Sequence, residues 1–475
     1  MTGVHGQSPW PYLLLALTSL RFLVCFFTPL SPDEAYYWVW SRALAFGYFE
    51  HPPMVALLVW AGTAIAGDGA LGVRLLAPVS AALGSVLIWR AGEDLLPGRG
   101  AGLRAAVLLN ATLLFGIGAV TMTPDTPLLL FWVAALCALG RVLATGREMW
   151  WWGVGAAVGL ALDSKYTAGL LPVGIFGWLL TTPSVRPWLR RKVVWAAASL
   201  ALLLFLPVLW WNAAHGWVSL LKQGARLPMW NPARGPQFVG ELLGGQFGLA
   251  TPGIAVLCVA GVVAAWRTPG RGLLAWLALL PAAVFLEHAL AGDRVQGNWP
   301  AVLYPSAALA AAGLSDRWRG WLWSGVAVGA VVTSVVWLQG VAAPLALPVR
   351  ADPTLLRLAG WQLVAAGVSA ALDPADGFVA AGNYGQAAQL ARLMPPDIPV
   401  YGVDARWALF ELPRVDGAGR TGLLLGDPDP AAWASVVPLG EIARMRNGMT
   451  AERLRLYRVT GRPNGTPIVT MPRPP

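Results

Sequence analysis

Ser31-Pro32-Asp33-Glu34 places two adjacent carboxylates at the head of an aromatic run, and Glu50-His51-Pro52-Pro53 adds a third acid beside an imidazole. Only 12% of the 475 residues are charged, so acids gathered this closely are candidates for chemistry. Carboxylates so placed could orient an acceptor, take its proton, or hold a cation. The local grammar is that of a helix start: Ser31 at the N-cap, Pro32 at the first helical position, and Glu34 completing a capping box. Capping alone can account for Glu34. Asp33 is not needed for the box, and the helix dipole would reward it by only about 0.3–1 kcal/mol. Asp33 is therefore the stronger candidate for chemistry.

The same Ser/Thr-Pro-Asp grammar recurs at Thr123-Pro124-Asp125, which gives Asp33 a candidate partner carboxylate. A divalent cation held at Asp33 and Asp125 is one use for such a pair. His51 could contact an anion or tune Glu50, or be a structural histidine. Lys222 and Arg226 are four apart and share a helix face, which suits a clamp on phosphate and equally suits interfacial snorkelling. His215, in His215-Gly216-Trp217, sits just before them. Lys165 follows Asp163 closely enough to be salt-bridged to it. Arg294 and Asn298 offer a further base and amide in Gly292-Asp293-Arg294 and Gln296-Gly297-Asn298-Trp299-Pro300.

These residues must be positioned by a membrane-embedded scaffold. The chain is 56% hydrophobic with 26 tryptophans, and its apolar residues come in runs of about 15–22, the length that crosses a bilayer core. Eleven runs read as spans, near 11–28, 70–89, 103–121, 125–140, 150–162, 166–181, 193–213, 246–266, 272–290, 298–314 and 321–340, with 53–67 as an ambiguous extra. The first lacks a basic flank and a cleavage site and reads as a retained span. Net charge is +10, but the bases cluster between apolar runs, as at Arg190-Arg191-Lys192, which reads as topology and not as a nucleic-acid surface. Alternating the loops puts the arginine-rich ones in the cytoplasm and the candidate residues outside. The outward loops 29–69 and 214–245 are long, as functional loops tend to be. Cys25, Cys137 and Cys258 lie inside apolar runs and support neither disulfides nor a zinc site.

After about Ala343 the composition shifts to Pro, Asp, Arg and Gly, and no later run could span a membrane. Short apolar runs at Gly377 to Ala381, Ile398 to Val403, Thr421 to Leu425 and Arg453 to Val459 alternate with a helical pattern from Gln386 to Met394. This predicts an all-α polytopic membrane domain over 1–342, of about 11–13 helices, followed by a small extracytoplasmic α/β domain over 343–475.

With these motifs in view, the chain resembles the GT-C class of membrane glycosyltransferases, which take a sugar from a polyprenyl phosphate. It is most similar to the family that includes the lipid A aminoarabinose transferase and relatives of protein mannosyltransferases. The resemblance rests on Asp33-Glu34 with its aromatic helix, Tyr48-Phe49-Glu50-His51-Pro52-Pro53, Pro124-Asp125, Gly159-Leu160-Ala161-Leu162-Asp163-Ser164-Lys165-Tyr166, His215-Gly216-Trp217 and Gln296-Gly297-Asn298-Trp299-Pro300, in order over about the first 340 residues. It implies Asp33, Asp125 and Glu50 as catalytic acids. It implies His51, Lys222, Arg226 and Arg294 as donor-phosphate contacts, with Glu34, Lys165, His215 and Asn298 in support. His51 departs from the lipid A enzyme, which has a lysine there.

The implied activity is inverting transfer of a sugar from a polyprenyl-phosphate donor to a lipid, glycan or protein acceptor at the outer face of the cytoplasmic membrane. No cofactor beyond a divalent cation is implied, and the partners are the donor, the acceptor and membrane lipids. The alternative is a multi-pass transporter or flippase of lipid-linked sugars, which would place charges deep inside broken spans. Here the acids cluster at span ends.

Overall fold

The computed structural model describes residues 9–98, 100–224, 231–429, 432–462 and 468–474. Six helices among them are long and apolar enough to cross a membrane: Trp10–Phe27, Ala70–Leu95, Asp125–Thr145, Lys192–Ala214, Gly272–Leu290 and Asp316–Ala342. A seventh span is formed if Pro232–Ala250 and Pro252–Arg267, bent by 106°, count as one. The bend falls at Thr251, whose φ of 69° is forbidden to most side chains and whose successor, Pro252, lacks an amide hydrogen to continue the ladder. Shorter apolar helices, Met54–Ala66, Ala101–Ala111, Trp150–Leu162 and Tyr166–Thr181, fall on further apolar runs, including the ambiguous one at 53–67.

The run expected as one span over 103–121 is broken. Thr112 adopts extended backbone, ends the helix Ala101–Ala111, and turns its hydroxyl to accept the Phe115 amide, so a new helix starts at Leu113. The run 298–314 likewise opens as a 3-10 turn, Trp299–Leu303, before the helix Tyr304–Ala312. Leu13, Leu15, Phe26, Leu202, Leu203 and Val331 point outward, as side chains facing lipid do. Small residues permit close helix packing: a Cβ on Gly155 would collide with the Ala197 carbonyl, so the helices Trp150–Leu162 and Lys192–Ala214 can lie backbone against backbone.

By contact the chain divides into two units. The first comprises Met1–Leu23, Glu50–Val55 and Leu76–Ser334 and holds most of the helices. Its core runs from Ile88 through Trp132, Leu136 and Trp178 to Leu277 and Leu309. The second comprises Val24–Phe49, Ala56–Leu75 and Val335–Pro475, so the acidic helix Pro32–Arg42 shares a unit with the C-terminal segment.

That second unit contains a sheet of seven described strands in the order β3-β7-β2-β1-β4-β6-β5. These are β1 (Val379–Ala381), β2 (Val400–Gly402), β3 (Arg414–Val415), β4 (Thr421–Leu425), β5 (Trp433–Arg446), β6 (Met449–Gly461) and β7 (Ile468–Thr470). The centre is parallel, β1 lying between β2 and β4, and the helix Tyr384–Leu393 makes the crossover from β1 to β2. The strands β5 and β6 form a long hairpin closed at Asn447-Gly448, both with positive φ, the requirement of a two-residue primed turn. The fold is thus a helical, multi-pass bundle with a small C-terminal α/β unit, as the residue pattern indicates.

Candidate active site

In the helical unit, the polar centre is Asp125. It begins the helix Asp125–Thr145 and is 8% exposed. Its Oδ1 accepts from Lys165 Nζ at 2.8 Å and its Oδ2 from Asn298 Nδ2 at 2.6 Å. Residues far apart in sequence are thereby joined, and all three were candidates from sequence. Lys165 makes its ion pair with Asp125 instead of with Asp163, the neighbour expected from the tight turn. The helix start also differs from expectation. Asp125 is preceded by Pro124 with no side-chain cap, and it is the Thr126 hydroxyl that accepts the Thr123 amide hydrogen.

Asp163 ends the helix Trp150–Leu162. Its backbone carbonyl accepts the Met54 amide hydrogen, which ties it to the helix that follows Pro52-Pro53. Its Oδ1 is buried and has no hydrogen-bond partner among the described residues, and burial pushes the carboxyl up to about 7.

Glu50 receives Lys222 Nζ at 3.0 Å, while its backbone carbonyl accepts from Gln223 Nε2 at 2.8 Å. Both donors come from the short helix Val218–Gly224, so the loop after the long span Lys192–Ala214 is laced to the acid before the proline pair. His51 is half-buried beside this pair. Arg226 lies outside the described residues. His215 is stacked on Trp211, with ring centroids 4.1 Å apart, and its Nδ1 is 2.8 Å from the Trp211 carbonyl oxygen. This holds the end of the span. Arg294 is exposed and pairs with Glu241 at 2.7 Å, on the rim of a cavity of about 290 Å³ that Arg234 and Phe238 also line.

In the second unit, Ser31 caps the helix Pro32–Arg42 and the capping box with Glu34 is complete. Glu34 does more than cap. It is fully buried and meets Arg74, also fully buried, through Nη2–Oε2 at 2.6 Å and a second contact from Nε. The same guanidinium donates to the carbonyls of Thr28 and Pro29 at 2.6 and 2.8 Å. Arg74 was not recognised as a partner from sequence. Its signal was a lone charge within an apolar run, where an ionisable side chain implies a specific partner.

Asp33 points elsewhere. Its side chain is 40% exposed; Tyr384 donates its hydroxyl to Oδ1 at 2.9 Å, and Arg357 Nη1 lies 3.7 Å from Oδ2. Neither partner was legible, because both sit in the C-terminal segment more than 320 residues away along the chain. The helix Tyr384–Leu393 lies along the Asp33 helix, and its facing positions explain the fit. A Cβ on Gly385 would come within 2.7 Å of Pro32 Cβ, Gln389 Nε2 donates to the Leu30 carbonyl at 2.8 Å, and Arg392 donates to that of Asp68.

Asp33 and Asp125 therefore belong to different units, each with its own partners. Among the described residues, no group of three or more His, Cys, Asp or Glu forms that would hold a metal ion. The two oxygens of Asp125 are already engaged by an ammonium and an amide.

The chain matches the family model described as dolichyl-phosphate-mannose-protein mannosyltransferase over residues 50–211, a stretch that takes in Glu50, His51, Asp125 and Lys165. It is 26% identical over 313 residues to a lipid A galacturonosyltransferase, RgtD, of Rhizobium johnstonii, covering 63% of this chain and 62% of that protein. It is 28% identical over 245 residues to an undecaprenyl phosphate-alpha-4-amino-4-deoxy-L-arabinose arabinosyl transferase of Pseudomonas paraeruginosa, covering 45% of this chain and 41% of that one. Each match thus spans less than two thirds of the relative's own length. Its fold is similar to that of ArnT from Cupriavidus metallidurans bound to undecaprenyl phosphate, with a TM-score of 0.65 at 16% identity over 95% of this chain and 98% of that one. The chain thus has a fold similar to that of ArnT and resembles the two curated transferases over part of its sequence.

Proposed function

We propose that this multi-pass membrane protein is a glycosyltransferase that moves a sugar from a polyprenyl-phosphate donor to a lipid, glycan or protein acceptor, with inversion. The reaction takes place at the outer face of the cytoplasmic membrane, with residues 343–475 outside. The observation that carries the reading is Asp33, a half-exposed carboxylate held from one side at the head of a capped helix, in a chain similar to a lipid A galacturonosyltransferase and to an undecaprenyl phosphate-alpha-4-amino-4-deoxy-L-arabinose arabinosyl transferase.

The chemistry needs little from the protein beyond position and charge. The acceptor oxygen attacks the anomeric carbon, the bond from that carbon to the phosphate oxygen breaks, and polyprenyl phosphate leaves. The protein must align the acceptor and stabilise the departing phosphate. Lys222 is the cation for the second task, and Glu50 holds it ready in a pair that a phosphate can replace. Asp33 aligns the acceptor and, where the acceptor is a hydroxyl, takes its proton. A phosphate acceptor arrives already ionised and asks no proton transfer of Asp33, which then acts by orientation alone. Asp125, locked by Lys165 and Asn298, fixes the wall of the helical unit.

A transporter would also have many spans, but the two curated relatives described above are named as sugar transferases. The test is to reconstitute the purified protein in liposomes with radiolabelled undecaprenyl-phosphate sugars and lipid A. Label appearing on the acceptor, with release of undecaprenyl phosphate, supports the reading. Translocation of the labelled donor across the bilayer without transfer would overturn it.

A further inference from the structure

The C-terminal segment is easily read as an appendage, yet its first crossover helix supplies the hydrogen-bond donor to Asp33. Tyr384 follows the N-cap Asn383, whose side chain accepts the amides of Gly385 and Gln386. The first turn is therefore fixed, and the phenol is aimed from a rigid base. Its ring is clamped on two sides. The guanidinium of Arg406 lies over it, 4.0 Å from the ring centroid, and the ring of Tyr36 lies 4.6 Å away. Arg406 is itself held by Asp404 at 3.1 Å, and its guanidinium also lies within 6 Å of the ring centroids of Tyr36 and Phe49.

Tyr36 stands on the same helix as Asp33, three residues on, so one helical face carries both the carboxylate and the ring that braces its partner. A cation over an aromatic face is worth roughly 0.5–2 kcal/mol, and the ring is rigid once placed. The carboxylate is left with one oxygen pinned by the phenol at 2.9 Å and the other facing Arg357 at 3.7 Å. An ordinary packing contact would not need a hydroxyl delivered to the one acid that capping does not employ.

We infer that Tyr384 is a positioning residue for the reaction, a hydroxyl lent by the C-terminal segment that aims the Asp33 carboxylate, with Arg406 bracing its ring. The inference rests on the proposed role of Asp33, and its test separates the two. Tyr384→Phe removes only the hydroxyl and keeps the packed ring. Because a hydrogen bond to a charged group is among the stronger ones, turnover should fall about ten- to hundredfold. The KM for the polyprenyl-phosphate donor should change less than about twofold, since the hydroxyl is spent on Asp33. Arg406→Gln should lower turnover in the same sense by a smaller factor. Arg455→Gln, which removes an exposed charge that meets Asp427 and Tyr457, should leave turnover at the wild-type level.

A thermal-unfolding cycle supplies a readout independent of activity. The shift caused by Tyr384→Phe in the wild type should vanish in an Asp33→Ala background, where the phenol has lost its acceptor. Wild-type kcat in Tyr384→Phe, with Asp33→Asn inactive, would overturn the positioning role and leave the proposed function standing. Equal loss of kcat and rise of KM, with the same thermal shift in both backgrounds, would reduce Tyr384 to a structural contact and also overturn it. Full turnover in Asp33→Asn would instead sink the functional reading itself.

Discussion

Lys165 Nζ sits 2.8 Å from Asp125 Oδ1 with both side chains almost wholly buried, so an ammonium and a carboxylate are held together at the start of a membrane-spanning helix. Removing one partner of such a pair strands the other charge, which costs about 3–5 kcal/mol. Lys165→Met is expected to lower the thermal unfolding temperature markedly. The double variant Lys165→Met, Asp125→Leu should recover most of that stability, because no charge is left stranded. Differential scanning fluorimetry of the detergent-solubilised protein reads both effects.

The pair Glu34–Arg74 makes a sharper comparison, because Glu34 serves two purposes at once. Loss of an N-cap side chain costs about 1 kcal/mol, whereas breaking a buried pair costs about 3–5 kcal/mol. Ser31→Ala should therefore be mild and Arg74→Met severe, since the latter also releases the carbonyls of Thr28 and Pro29. Comparable unfolding midpoints for the two variants would show that capping is the whole role of Glu34.

Asp163 gives a pH signature. Its carboxyl is raised from 3.8 to about 7 by burial, so the folded protein binds a proton that the unfolded chain has released anywhere between those values. Stability from this group is present at low pH and is lost as pH rises from about 4 through 7. Asp163→Asn, neutral at every pH, should unfold later than the wild type at pH 8. The gain should shrink on acidification and disappear near pH 4. A gain independent of pH would contradict the assignment of the shift to Asp163.

Much of the architecture was legible because burial in lipid imposes long apolar runs, and the C-terminal strands β1, β2 and β4 fall within the short apolar runs expected. What escaped was physically hidden. The expected run Arg453 to Val459 lies within β6, but its partner β5 is exposed along much of its length, so its sequence carries charges, Pro438 and Gly440 instead of an apolar run. The break at Thr112 depends on one side-chain hydrogen bond within an apolar stretch.

The candidate residues divide in the same way. Asp125, Lys165 and Asn298 could be named from local motifs, and the structure joins them. Tyr384, Arg357 and Arg74 carried no motif of their own, and their meaning comes from which chain segment they meet. The helix-start grammar did separate Glu34 from Asp33. The capping box and Arg74 engage the first, and the second is left facing outward with a phenol to aim it.

The most direct measurement is single-turnover transfer from a labelled undecaprenyl-phosphate sugar by Asp33→Asn, reconstituted alongside the wild type and matched for folded protein. Asn keeps the size and still accepts the Tyr384 hydroxyl, so only the charge and basicity of the site change. Transfer is expected to fall at least a hundredfold with donor binding retained. Transfer at the wild-type rate would contradict the placement of the reaction at Asp33.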